Sequence, residues 1–267
     1  MTSPRALLQF ANGAPITPCI AAAWEGLRFL GYDCEAFEIA RTTEGYAIPK
    51  VDGALVVGGV QAVHAAFTQI GAAIPEPVDY PEALRPWFER HIRRAPLSEA
   101  HLLLGPKQRD PRPWFVKPVR PKAFTGDVFD DGADLYNATA HLDEDEPVWL
   151  SGVVEFVSEW RCFVTDGSLV GIKHYRGDPW TLPSKVDVVR MVRESMALGR
   201  AGLSVDVGVT EDIRTLLVEC NDGYALGYYG LDSLAYAELL IARWKQITGR
   251  LNAATTPSPP FGPLVRR

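Results

Sequence analysis

Apolar residues near the start of the chain follow two alternating spacings, one typical of strands and one typical of helices. Strands are predicted from short apolar or alternating runs at 5–11, 34–40 and 53–59, and helices from apolar residues three and four apart at 17–31 and 60–71. Thr17 is placed to cap the first helix, Pro18 suits its first position, and Gly31 ends it. Strands alternating with helices favour a small α/β layer with a parallel sheet.

Strand-type runs dominate the rest of the chain. Strands are predicted at 113–119, 147–157, 160–175, 205–210 and 213–220, and helices at 184–202 and 231–249. The run at 160–175 contains Thr-Asp-Gly-Ser, a tight hairpin turn of the Asp-Gly type. This part is predicted to be an α+β domain.

The joins between these parts are marked by composition. Residues 81–94 form a basic stretch of helical spacing interrupted by Pro86, so a boundary is expected between 75 and 100. The end of the chain is rich in proline and poor in core-forming residues, which predicts a flexible tail. The predicted parts are an N-terminal α/β domain at 1–95, an α+β domain at 96–252 and the tail at 253–267.

Composition narrows the class of protein. With 267 residues, 47% of them hydrophobic, the chain can bury the cores of two modest domains. A net charge of −6 argues against a broad basic surface for nucleic acid. No apolar run approaches the ~20 residues that cross a bilayer, and no signal peptide is evident, so we expect no membrane partner and a cytoplasmic location. Dimers are the commonest association of such chains, which makes a homodimer the default expectation.

The four cysteines lack the spacing of a metal site or a disulfide framework, which predicts reduced thiols. They are Cys19, Cys34, Cys162 and Cys220. Strand alternation places Val218 and Cys220 on one face and Glu219 and Asn221 on the other, so Cys220 is expected to point into a core.

Glu219 and Asn221 allow two interpretations. They form the polar end of a hairpin, because Asn-Asp-Gly is a common turn sequence, or they are oxygen ligands for a hard cation such as Mg²⁺. Asp206 adds a third oxygen donor if the turn at 210–214 joins its strand to that of Glu219 in an antiparallel hairpin.

Two further strands carry cations. Lys117 follows three apolar residues; it is either an edge lysine that blocks aggregation or a mobile charge for phosphates. Alternation places Glu155, Val157, Glu159 and Arg161 on one face. These residues suit an ordinary amphipathic strand with Glu–Arg pairs, or an apolar purine pocket with a carboxylate for ribose hydroxyls. Past the hairpin, the paired strand brings back further cations, Lys173 and Arg176.

In this order, the segments FVKP, VVEFV, EWRCFV, GIKHYR, VDVG and VECN resemble the ATP-grasp superfamily, particularly its RimK-like, glutamate-ligase-like branch. The resemblance covers about residues 110–240. It implies an α+β ATP-grasp fold preceded by a small α/β, parallel-sheet domain. It also implies a reaction in which ATP activates a carboxylate as an acyl phosphate and an amine then displaces phosphate.

The resemblance also implies roles for individual residues. Lys117 would meet the nucleotide phosphates, and the segment Glu155, Phe156 and Val157 would hold adenine, with Glu159 near the ribose. Arg161 would neutralise the transferred phosphate, with Lys173 or Arg176 beside it. The Mg²⁺ ligands would be Asp206, Glu219 and Asn221.

Two departures from the family pattern keep alternatives open. The loop after Lys117 has a single glycine, and the family's upstream phosphate lysine has no counterpart other than Arg93, Arg94 or Lys107. The predicted function is an ATP- and Mg²⁺-dependent carboxylate–amine ligase acting on amino acids or peptides. The alternatives are an ATP-binding sensor that does not ligate, and a kinase of the same fold.

Overall fold

The N-terminal layer is a parallel sheet covered by helices, as predicted. The computed structural model describes residues 3–43, 45–105 and 113–249. In the sheet, β1 (Arg5–Ala11) lies between β3 (Asp33–Phe37) and β6 (Leu55–Val57) and is parallel to both, and the short β2 (Ala14–Pro15) is antiparallel to β1. The helices are α1 (Pro18–Phe29) and α2 (Val60–Gln69), and β4 (Ala40–Thr42) and β5 (Gly45–Ala47) form a small hairpin.

A second, antiparallel sheet follows. Its strands are β7 (Ile92–Pro96), β8 (Trp114–Pro118), β9 (Asp127–Phe129) and β10 (Pro147–Gly152), in the order β7-β10-β8-β9. The helices α3 (Leu97–Leu104) and α4 (Gly132–Thr139) pack on it around Leu97, Leu135 and Leu150.

The helical prediction for 81–94 was partly wrong. Only Glu82–Trp87 is helical, as a 3₁₀ turn that contains Pro86, and Ile92 already begins β7. Pro86 has no N–H to donate, which keeps the helix short. The strand pairs with β10, so sheet pairing overrides the helical spacing there.

The third sheet is antiparallel and carries the polar strand ends. Its strands are β11 (Ser158–Thr165), β12 (Ser168–Gly177), β13 (Gly202–Val209) and β14 (Thr215–Asp222), in the order β12-β11-β13-β14. The predicted Asp-Gly turn joins β11 to β12, with φ of 47° at Asp166 and 75° at Gly167. Positive φ at both central residues is what a tight hairpin turn of this type requires.

Two helices complete the chain that the structure describes. α5 (Lys185–Ser195), followed by a 3₁₀ turn at Met196–Leu198, packs on the third sheet. α6 (Ser233–Ile247) packs with α1 instead, and its Leu239 and Leu240 share a core with the N-terminal sheet. A helix predicted to belong to the second domain therefore helps to bury the core of the first.

Some predictions lie outside the described residues or stay predictions. The tail at 253–267 belongs to the part of the chain that the structure does not describe, and the domain boundaries near residues 95 and 252 stay predictions. No helix within the described residues combines the length and the apolar character that a bilayer crossing requires.

Cys220 is a core residue of β14, as predicted. It is 1% exposed and packs with Leu203, Val205 and Leu217, and burial raises the pKa of its thiol well above the ordinary value. Cys220→Ser is expected to lower the free energy of unfolding by about 1–3 kcal/mol, because it buries a hydroxyl in an apolar core. Urea unfolding measures this, with the half-buried Cys34→Ser as the matched control. A loss equal to that of the control would contradict the buried position of Cys220.

Candidate functional site

Two adjoining cavities lie between the second and third sheets. The outer cavity, of about 750 Å³, is lined by residues 151–156 and by Tyr80, Arg90, Val128, Glu159, Tyr175 and Tyr229, among others. The inner cavity, of about 500 Å³, is lined by residues 75–79, 117–119 and 224–227, among others. The cavities meet at four residues that line both, namely Phe115, Gly126, Arg161 and Glu219.

Arg161 and Asp206 form a buried, bidentate ion pair at this junction. They are directly opposite each other on β11 and β13. The Nε of Arg161 donates to Asp206 Oδ1 at 2.8 Å, and Nη2 donates to Oδ2 at 2.6 Å. Burial disfavours the charge on Arg161, but Asp206 outweighs it and keeps the pKa of the guanidinium above its ordinary value. Arg161 is therefore a fixed positive charge at the place where the two cavities meet.

Lys117 is held between two carboxylates beside that pair. Its Nζ donates to Glu219 Oε2 at 2.5 Å and to Asp79 Oδ1. Burial works against the ammonium, yet Glu219 and Asp79 raise the pKa of Lys117 above its ordinary value. The pKa of Glu219 lies below its ordinary value, because Lys117 overcomes the effect of burial. Lys117 therefore faces a functional cluster and does not merely protect a sheet edge.

The predicted hairpin of oxygen donors is confirmed by the register of the third sheet. Asp206 on β13 is directly opposite Glu219 on β14. The Nδ2 of Asn221 bridges them, donating to Glu219 Oε1 at 3.1 Å and to Asp206 Oδ2 at 3.3 Å. The three predicted ligands are therefore brought together at one point.

A β-bulge changes the face of one neighbouring residue. The pairing runs from Asp206 opposite Glu219 to Val207 opposite Leu217, which leaves Val218 as the extra residue. Val218 consequently lines the outer cavity, and Leu217 packs in the core with Cys220. The prediction that Val218 and Cys220 share a face was wrong, because simple alternation does not survive a bulge.

Arg90 is a residue of the site that sequence analysis missed. It lies in the outer cavity, where Nη1 donates to Leu217 O at 2.8 Å and Nη2 donates to Val218 O at 3.2 Å. Its Nε donates to Ser151 Oγ at 3.1 Å. Arg90 therefore ties the bulge on β14 to β10. The basic stretch at 81–94 is the signal that could have pointed to it.

The segment at 153–157 is a connection between β10 and β11, and its prediction as a strand was wrong. The strand ends at Gly152, and β11 starts at Ser158. Glu155 and Phe156 line the outer cavity, but Val157 is occupied by backbone bonds to Val209 and Asp178. The strand alternation that placed Glu155 and Val157 with Glu159 therefore does not apply.

Phe156 is seated against a glycine of β13. A Cβ at Gly208 would lie only 2.2 Å from the Phe156 ring, so only glycine lets this aromatic side chain approach the sheet. The outer cavity consequently has an apolar, aromatic wall.

Glu159 is buried at the opposite wall. Its carboxylate accepts from Tyr175 OH at 2.8 Å and from Arg176 Nη1 at 3.1 Å. Tyr175 is the extra residue of a second bulge, and its ring stacks on Tyr229 at 5.0 Å. The predicted strand with Glu–Arg pairing is therefore found here, at the edge of a cavity.

The other predicted cations are spread more widely. Lys173 pairs with Arg161 in the register of β11 and β12, but it does not line either cavity. Arg93 pairs with Glu99 at 2.5 Å and Arg94 lies over the ring of Trp149, both away from the two cavities. Lys107 lies outside the described residues.

The single glycine of the loop after β8 lies against Lys117. A Cβ at Gly126 would be 3.0 Å from the Cβ of Lys117. The loop backbone therefore closes on the lysine at a point where a side chain would crowd it.

The donor set suits one hard cation when other oxygens join it. Among the described residues, no three His, Cys, Asp or Glu side chains are grouped to hold a metal ion by themselves. Asp206 and Glu219 supply two carboxylates and Asn221 an amide, and Mg²⁺ typically takes one or two carboxylates and completes its shell with water and phosphate oxygens. The residues present therefore fit Mg²⁺ in the company of a phosphate ligand.

Comparison with solved structures shows the fold. D-alanine–D-alanine ligase from Bacillus anthracis, complexed with ATP, is 14% identical with a TM-score of 0.57, over 95% of this chain and 100% of that one. D-alanyl-alanine synthetase A from Vibrio cholerae is 13% identical with a TM-score of 0.53, over 94% and 100%. Macrocyclase MdnC from Microcystis aeruginosa, bound with precursor peptide MdnA, is 11% identical with a TM-score of 0.51, over 89% and 99%.

Comparison of sequences shows the family. No curated protein sequence matches the chain. A family model of the ATP-grasp domain, the second family of its clade, matches residues 87–239, which is more than half of the chain. The resemblance inferred from the ordered motifs is thereby confirmed: the chain belongs to this ATP-grasp domain family.

Proposed function

We propose that this protein is an ATP- and Mg²⁺-dependent carboxylate–amine ligase that forms an amide bond through an acyl phosphate. One observation carries the proposal: two buried cations and three oxygen donors converge where two cavities meet. The cations are Lys117 and Arg161, and the donors are Asp206, Glu219 and Asn221. Phosphoryl transfer depends on positioned cations and metal, and the second cavity leaves room for the reactants that accept the phosphoryl group.

The outer cavity is the proposed nucleotide site. Phe156 and the backbone of Glu155 form its apolar wall, which suits a purine. Glu159, fixed by Tyr175 and Arg176, is close enough to the same cavity to meet ribose hydroxyls. The phosphates would then extend toward Lys117 at the junction.

The junction is the proposed place of phosphoryl transfer. Asp206, Glu219 and Asn221 would hold Mg²⁺, which neutralises phosphate charge when bound. Arg161 faces the same point and would neutralise the charge that develops on the transferred group. Arg176 contributes through Glu159, and Lys173 stays a proposed neighbour of Arg161 through strand pairing.

The chemistry divides between the cavities. An oxygen of the acid's carboxylate attacks the γ-phosphorus, the bond to ADP breaks, and an acyl phosphate forms. The amine nitrogen then attacks the acyl carbon, inorganic phosphate leaves, and the nitrogen gives up its proton. Macrocyclase MdnC, which shares the fold, is bound with a precursor peptide, and this supports amino acids or peptides as the proposed acid and amine.

The test is the release of ADP by purified protein supplied with MgATP and pooled amino acids and peptides. We expect ADP and phosphate in equal amounts, only when both an acid and an amine are present. AMP as the product, or no nucleotide binding, would contradict the proposal. A stable phosphorylated product unaffected by added amine would identify a kinase.

A second candidate is an ATP-binding sensor that does not ligate. It is favoured by the loop at 119–126, in which Gly126 is the single glycine available for closing over phosphates. Tight ATP binding without turnover across the whole panel would support it.

A further inference from the structure

The inner cavity is well suited to an amine. It adjoins the phosphoryl-transfer junction, and Val60, Pro75, Val78 and Leu226 give it apolar walls. If the nucleotide fills the outer cavity, the inner cavity is the space left for the other reactants. The carboxylates on its lining are therefore candidates for recognising a substrate.

Asp79 is the carboxylate with spare capacity there. It is 8% exposed, its Oδ1 accepts from Lys117, and its Oδ2 has no hydrogen-bond partner within the described part of the chain. Its backbone is fixed next to β14, because the N–H of Cys220 donates to Asp79 O at 2.8 Å. It lies outside the matched family span of 87–239.

The partner of Asp79 has a second task in the proposed reaction. When Lys117 turns to phosphate oxygens, Asp79 is left as a buried carboxylate without its cation, which is strongly unfavourable. A carboxylate at this position repels phosphate and the acid substrate alike. The one reactant that brings a positive charge is the amine.

We propose that Asp79 receives the ammonium group of the amine substrate in the inner cavity, and that Lys117 holds this place in the present structure. The proposal rests on the ligase function proposed above. It makes Asp79 a specificity-determining residue and couples nucleotide affinity to the amine, since a cation at Asp79 releases Lys117 for the phosphates.

Calorimetric titration with the imido analogue of ATP and Mg²⁺ tests this, with and without a pool of the twenty standard amino acids. For the native protein, we expect the pool to tighten analogue binding several-fold. Asp79→Asn removes the competing charge, so it should bind the analogue about tenfold tighter than native and gain nothing from the pool. Adenosine binding should not change.

Two controls keep the result specific. Glu76→Gln removes the same charge from the same cavity wall, at an exposed position, and should behave as native. Asp79→Glu keeps the charge and should retain the gain from the pool, which guards against a folding defect in Asp79→Asn. Unchanged or weaker analogue binding by Asp79→Asn, or no gain in the native protein, overturns the inference. A native protein that binds no nucleotide overturns the proposed function instead.

Discussion

Asp206→Ala is expected to lower the free energy of unfolding by about 3–5 kcal/mol, because it strands a buried guanidinium. Arg161 is 6% exposed and Asp206 is 1% exposed, so water cannot replace the lost carboxylate. Both oxygens of Asp206 are engaged by Arg161, which makes the whole bidentate contact depend on this one side chain. Urea unfolding followed by tryptophan fluorescence measures the loss.

A double variant separates the buried charge from the lost packing. Arg161→Met combined with Asp206→Leu removes both charges and keeps apolar volume, so it should be markedly more stable than Asp206→Ala, although it has no activity. Ser158→Ala, which removes a hydroxyl at the buried start of the same β11, provides a comparison for ordinary loss of a hydrogen bond. If Asp206→Ala unfolds within about 1 kcal/mol of the native protein, the pair is not the anchor of the third sheet.

The local patterns were sufficient to predict most strands and the hairpin that carries the donors. Asp206 lies opposite Glu219 because a short turn joins two strands whose polar ends must face each other. The Asp-Gly turn after Thr165 was predicted for the same reason: the required positive φ leaves few residue choices. Information of this kind is contained within one or two turns of chain.

The remaining residues depend on contacts between distant segments. Asp79 meets Lys117 and Arg90 meets Leu217 only after separate sheets have packed together, and no local periodicity encodes such a contact. The bulge at Val218 shifts the alternation by one residue without any glycine or proline to announce it. Sequence therefore predicts which side chains could act, whereas packing decides their neighbours.

Asn221→Ala is expected to reduce MgATP-dependent turnover by about 100-fold or more while the fold is preserved. Its amide links Glu219 to Asp206 at the end of β14, and its carboxamide oxygen is one of the three proposed Mg²⁺ ligands. The position is half-buried at a strand end, so removing it leaves no cavity in a core. Catalytic positioning of this kind is commonly worth several kcal/mol in the transition state, which corresponds to the expected factor.

The measurement is ADP release across a series of Mg²⁺ concentrations, together with the thermal unfolding temperature. We expect the loss of turnover to remain at saturating Mg²⁺ and the unfolding temperature to stay within a few degrees of native. Asn137→Ala, an exposed asparagine on α4, is the matched control and should be fully active. Native turnover in Asn221→Ala would refute the assignment of the ligands, because the hydrogen bonds alone would then explain why Asn221 lies between the two carboxylates.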